Sequence, residues 1–229
     1  MRLFRTIFLP VTVTSARDAT ERVVQLVVGL ILYGVALAFM IRGGIGLAPW
    51  DVLAVGTAQH VPLSFGAVVV ALSVVVLLLW IPLRQRVGIG TVLNALIVGP
   101  AAEVTLLFLS PAPTALVGSM LFAIGLVVLA VATGVYISAD FGPGPRDGLM
   151  TGLVRRTGRP VWMVRTVIEG SVLLIGFLLG GPVGVGTVIL AFGVGPLIGL
   201  VLPRMQRWRA ARSARLARAP RPAASLAAP

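Results

Sequence analysis

The chain has 229 residues, 58% of them apolar and only 11% charged, with 27 Gly, 16 Pro and no Cys. A soluble domain carries about a quarter of its residues charged, so the solvent for most of this chain is lipid. With no cysteine and with His60 as the single histidine, disulfides and thiolate metal sites are excluded and a Ser/His triad has little to build on; no enzymatic activity, cofactor or metal is expected.

The formal charge is +12, and all 19 basic residues are arginine. In a soluble protein this balance would point to nucleic acid. Here the arginines lie between apolar runs and not on one face, so no nucleic-acid partner is expected.

In chain order, residues 1–21 form a cytoplasmic N-terminal segment whose stretch Leu3 to Val13 is expected along the membrane surface, with Pro10 limiting any helix. Span 1, Val23 to Ile41, is longer than a signal-peptide core and lacks a small-residue cleavage pattern, so it reads as retained. Spans 2 and 3 follow at Phe65 to Leu83 and Thr91 to Leu109, then span 4 at Leu116 to Ala139. Spans 5 and 6 are Val161 to Leu179 and Val185 to Leu202. Each run is long enough for a helix to cross a hydrocarbon core ~30 Å thick. An Arg-rich tail, residues 204–229, closes the chain. Its arginines are expected at anionic lipid headgroups, and the stretch from Ala217 onward is expected to be disordered.

Loop charges test the count of six. Arginines cluster before span 1, at Arg84 and Arg86, at Arg146 to Arg159, and after span 6. The connections Ser110 to Ala115 and Gly180 to Gly184 carry none, and only Arg42 lies between spans 1 and 2. Charge alternates at every crossing, which places both termini in the cytoplasm. Trp50, Trp80, Trp162 and Trp208 fall near span ends, where an indole suits the headgroup level.

An offset of 96 residues aligns the two halves without a gap. Gly88 to Pro100 falls on Gly184 to Pro196 with eight of thirteen residues identical, and Gly46, Pro49 and Asp51 fall on Gly142, Pro145 and Asp147. Three spans per half means that the second copy enters the membrane from the opposite side. The expected fold is therefore all-α and polytopic: six transmembrane helices as two inverted three-helix repeats, residues 22–110 and 114–203, with short broken or re-entrant half-helices. The first Pro-x-Asp is expected near the outer face and the second near the cytoplasmic face.

Gly46 to Leu53, Gly88 to Asn94, Phe141 to Met150 and Gly184 to Pro196 together resemble the YczE/YyaS/YitT-type bacterial integral membrane proteins. The resemblance covers Arg22 to Pro203. It implies a multi-pass protein of the bacterial plasma membrane and no defined molecular activity.

Pro49-Trp50-Asp51 and Pro145-Arg146-Asp147 read as helix starts, since proline suits the first helical position and an acid there meets exposed N–H groups and the positive end of the dipole. The aspartates are either helix-start acids or pathway residues. Gly88, Gly90 and Thr91, repeated as Gly184, Gly186 and Thr187, read as a helix-packing motif. Asn94 must find a partner or line a cavity. Glu103 and Glu169 lie inside apolar runs, where an ionised group costs ~2.5–3.5 kcal/mol. Arg165, four residues before Glu169, makes that acid half of a structural ion pair, whereas Glu103 has no local partner and becomes a candidate for a proton-linked role.

Two functions follow from these features. The first is a small-molecule transporter or permease of undefined solute, with Pro49, Trp50, Asp51, Asn94, Glu103, Pro145, Arg146 and Asp147 as substrate or pathway candidates. The alternative is a non-transporting membrane component that supports assembly or activity of another membrane or biosynthetic system. A membrane-embedded enzyme comes third, for want of any clustered His, Cys or carboxylate set.

Overall fold

The computed structural model describes residues 15–218. The expectations for Leu3 to Val13 and for residues 219–229 lie outside the described residues. The described chain forms α1 (Ala16–Gly43), α2 (Pro49–Ala58), α3 (Phe65–Leu83), α4 (Ile89–Phe108), α5 (Ala115–Ser138), α6 (Pro145–Thr157), α7 (Val161–Leu178) and α8 (Val185–Arg218). All but the short α2 and α6 are long and apolar enough to cross a membrane. Their outward faces carry large apolar side chains such as Phe108, Leu178 and Phe192, a distribution that lipid accepts and water does not. The protein is an all-helical, multi-pass membrane protein.

Helix starts follow local chemistry. The hydroxyls of Ser15, Ser64 and Thr114 accept the N–H of Asp18, Ala67 and Val117, which caps α1, α3 and α5. In contrast, α2 and α6 open on Pro49 and Pro145 after Ala48 and Gly144, with no side-chain cap. The 96-residue offset recurs in the helix starts: α2, α3 and α4 start at 49, 65 and 89, and α6, α7 and α8 start at 145, 161 and 185.

At the centre α1 packs along α5. A Cβ on Gly29 would come 2.8 Å from the backbone N of Tyr136, and one on Gly125 would come 2.7 Å from Met40 Cγ. The offset equates Gly29 with Gly125 and Met40 with Tyr136, so this close approach of small residue to neighbour is made twice. Around that pair, α4 packs on α1 and α8 on α5, while α2 packs on α7 and α6 on α3. Each short helix thus rests on a long helix of the other half.

The breaks before the short helices are locked in the same exchanged way. Gly186 N–H donates to Ile45 O at 2.8 Å, and Gly90 N–H donates to Phe141 O at 2.9 Å. Thr91 Oγ1 accepts Gly88 N–H at 3.2 Å, and Thr187 Oγ1 accepts Gly184 N–H at 3.3 Å. Both loops turn through a glycine at positive φ, 122° at Gly46 and 107° at Gly142, which a side chain would oppose.

Two features go beyond the sequence reading. The helix of span 6 does not end near Pro203, because α8 continues to Arg218 and its end pairs with the start of α1. Arg209 pairs with the buried Asp18, Ser213 Oγ donates to the same carboxylate, and Arg212 makes a two-pronged bond to Glu21 at 2.9 and 3.0 Å. Alanine and arginine favour helix continuation, and the acids of α1 fix where the continued helix lies. Trp80 faces the protein interior: it is buried against α6, where Gly148 leaves room for its ring and its indole N–H donates to Pro145 O at 3.1 Å.

Candidate functional site

Because α2 and α6 begin inside the bundle and run outward, their N-terminal ends meet. Asp51 and Arg146 form an ion pair at 3.1 Å, with Asp51 2% and Arg146 30% exposed. The expectation of one Pro-x-Asp at each membrane face is therefore corrected: both motifs belong to one central cluster. The guanidinium of Arg146 also lies 5.4 Å from the centre of the Trp50 ring, within range of a cation–π contact.

Two cavities adjoin the cluster and share Tyr33, Tyr136, Arg146 and Asp147. The larger, about 170 Å³, is further walled by Trp50, Thr133 and Met150, by Arg165 and Glu169 of α7, and by Leu190 and Val194 of α8. The smaller, about 70 Å³, is walled by Val69 and Ser73 of α3 and by Asn94 and Val98 of α4. The 96-residue offset maps Val69, Ser73, Asn94 and Val98 onto Arg165, Glu169, Leu190 and Val194. The cavities are thus equivalent spaces with different linings.

They also differ in closure. In the first half α3 and α4 pack together, and a Cβ on Gly99 would stand 2.4 Å from Gly66 O. Glu103 completes that closure by accepting Gly66 N–H at 2.7 Å. In the second half the positions equivalent to Gly66, Gly99 and Glu103 are Trp162, Gly195 and Gly199. Trp162 is 70% exposed, and nothing lies within 4 Å of a Cβ on either glycine. The larger cavity thus lies beside a helix pair, α7 and α8, that lacks the close glycine contact of α3 and α4.

Electrostatics single out Asp147. Arg146 is matched by Asp51, and Arg165 is matched by Glu169 at 2.9 Å. Asp147 makes no ion pair among the described residues and receives only a long contact, 3.5 Å, from the Tyr136 hydroxyl. No three His, Cys, Asp or Glu side chains converge as a metal set among the described residues.

Of the sequence candidates, Pro49, Trp50, Asp51, Asn94, Pro145, Arg146 and Asp147 come together here. Glu103 does not; its partner is the start of α3. Gly88, Gly90, Thr91, Gly184, Gly186 and Thr187 form the loop locks, and Thr91 Oγ1 additionally donates to Pro143 O at 2.7 Å. The sequence reading missed Tyr33 and Tyr136, whose rings meet edge to face at 6.1 Å. They are the two tyrosines of the chain, and both fall inside apolar runs, which was the available signal. A larger groove of about 770 Å³ between α1 and the end of α8 has a mainly apolar wall; of its charged groups Glu21, Arg209, Arg212 and Arg215, the first three pair with one another.

A family model described as "Family of unknown function (DUF6198)" matches residues 20–203. An uncharacterized protein of Haemophilus influenzae is 38% identical over 187 residues, spanning 81% of this chain and 85% of that protein. In Bacillus subtilis, the uncharacterized membrane protein YczE is 31% identical over 179 residues, 77% of this chain and 83% of its own length. The uncharacterized protein YyaS is 26% identical over 186 residues, 79% and 92% of the two chains. No solved structure matches. The family match takes in the central cluster and part or all of each long helix, and the chain belongs to the DUF6198 family, together with its YczE-type relatives.

Proposed function

We propose that this protein is a small-solute transporter of the bacterial plasma membrane, built as two inverted three-span repeats with both termini in the cytoplasm. The observation that carries the reading is the meeting of two half-helix starts at Asp51 and Arg146, beside two cavities at positions related by the offset, the larger next to the helix pair that lacks the close glycine contact. Discontinuous helices whose N-terminal ends face a central site are the arrangement by which many transporters hold a solute midway across the bilayer. The exchanged hydrogen bonds of Gly90 and Gly186 support the repeat, since an in-plane two-fold axis makes each half's break dock on the other half's helix start. The arginine alternation supports the orientation. In that orientation the larger cavity faces the cytoplasm, and closing α7 onto α8 while parting α3 from α4 would turn the site outward. Arg204, Arg207 and Arg215, exposed on the extension of α8, are left to anionic headgroups.

The test is a solute-flux screen in reconstituted vesicles. The account expects at least one small solute to cross with the wild-type protein and not with Arg146→Ala. A folded wild-type protein that moves none of a broad panel favours the alternative, a membrane component serving another system.

A further inference from the structure

The charge and shape of the larger cavity narrow the solute class, an inference that rests on the transporter reading. Three carboxylates, Asp51, Asp147 and Glu169, face two guanidiniums, Arg146 and Arg165, so the ionised site holds one net negative charge. Both guanidiniums already have a carboxylate within hydrogen-bond distance. The pull of either guanidinium on an anionic solute is therefore offset by the carboxylate beside it, Asp51 at Arg146 and Glu169 at Arg165. The charge left without a counter-ion is that of Asp147, whose side chain is exposed to the cavity and lies on its wall. Taking a carboxylate out of bulk water is costly unless a partner arrives. Tyr33 and Tyr136 line the same space, and aromatic rings attract cations while repelling anions.

Size sets the remaining limit. A cavity of about 170 Å³ is close to the engineered apolar cavity of about 150 Å³ that accepts benzene. Room exists for a molecule of roughly that bulk, with its charged end at Asp147 and its apolar end toward Leu190 and Val194.

We propose that this cavity binds a small organic cation, a protonated amine, with Asp147 as its counter-ion and Tyr33 and Tyr136 as its aromatic wall. Arg146 serves as a positioning residue that joins the two short helices, and Glu169 holds Arg165 away from Asp147.

The experiment compares three probes of one shape and different charge, n-butylammonium, butyrate and n-butanol, by calorimetric titration of the purified full-length protein at neutral pH. The expected result is binding of n-butylammonium at least tenfold tighter than of either other probe. Asp147→Asn should weaken it at least tenfold, while Asp147→Glu keeps it. Equal or tighter binding of butyrate, binding of none of the three, or undiminished amine binding by folded Asp147→Asn would overturn the assignment. If Asp147→Asn does not fold, the wild-type ranking of the probes decides alone. Butylammonium binding without flux of any solute in vesicles would leave the amine site standing and contradict transport. Flux of an anionic or neutral solute without amine binding would do the reverse.

Discussion

Trp50 and Arg146 occupy positions that the 96-residue offset equates, and in the folded chain the guanidinium of one lies 5.4 Å from the ring centre of the other. Contact between equivalent residues is what the proposed axis between the halves requires. Their neighbours differ in consequence: Asp51 beside Trp50 is buried in a pair with Arg146, whereas its counterpart Asp147 faces the cavity. One copy of the motif holds the centre together and the other presents a charge to it.

Breaking that pair from one side should be worse than removing both charges. Arg146→Ala leaves Asp51 buried without its counter-ion, for which the usual loss is about 3–5 kcal/mol. Thermal unfolding of Arg146→Ala should fall well below wild type, and Asp51→Asn combined with Arg146→Gln should recover part of the loss. Additive losses in the double variant would show that the two groups are not coupled.

Closure of the first half and openness of the second predict opposite outcomes at equivalent glycines. Gly99→Ala drives a Cβ to 2.4 Å from Gly66 O, a backbone atom that cannot swing aside. Overpacking of this kind costs about 1–3 kcal/mol. Gly195→Ala meets nothing within 4 Å and replaces a helical glycine, so it should be neutral or stabilising by up to about 1 kcal/mol. Melting temperatures of the two variants decide, and equal destabilisation would contradict the asymmetry.

Much of this architecture was legible in the sequence, for reasons that the residues themselves supply. Pro49 and Pro145 marked the starts of α2 and α6 because proline suits the first turn and an acid follows two residues on, and apolar runs bounded by glycine, proline or arginine marked the six long helices. Depth was not legible. Loop charges say on which side a connection lies, but not that Gly46 and Gly142 turn the chain back inward before each proline, so Asp51 and Asp147 were assigned to opposite faces. Tertiary partners were equally hidden: Trp80 resembles an interfacial indole until Gly148 is seen to make room for it. The useful signal was departure from the repeat. Tyr33 against Leu129, Asn94 against Leu190, Arg165 against Val69 and Glu169 against Ser73 are mismatched pairs, and every one lines a cavity.

The start of α1 and the end of α8 form a second testable joint. Asp18 is buried among Arg22, Arg209 and Ser213, and Glu21 is held by Arg212. Truncation after Arg218 should leave stability unchanged. Truncation after Trp208 removes three of these partners and should lower the melting temperature and speed hydrogen exchange in the first turns of α1. Equal stability of the two truncations would show that the extension of α8 is dispensable.

Glu103 should prove structural. Glu103→Gln keeps an oxygen acceptor for Gly66 N–H, 2.7 Å away in the wild type. Stability is then expected to change by about 0.5 kcal/mol or less, and flux should persist. Glu103→Leu loses the acceptor and should cost about 1–3 kcal/mol, the penalty for an unsatisfied buried donor. Loss of flux in folded Glu103→Gln would return that acid to the pathway.

The central claim is that one site is reached in turn from both sides of the membrane, and a single cysteine measures it directly because the chain has none of its own. Tyr33 borders both cavities. With Tyr33→Cys protein in vesicles of defined orientation, a membrane-impermeant thiol reagent should label the site from the cytoplasmic side and, separately, from the outer side. Labelling from one side only, in a folded protein, would contradict the account.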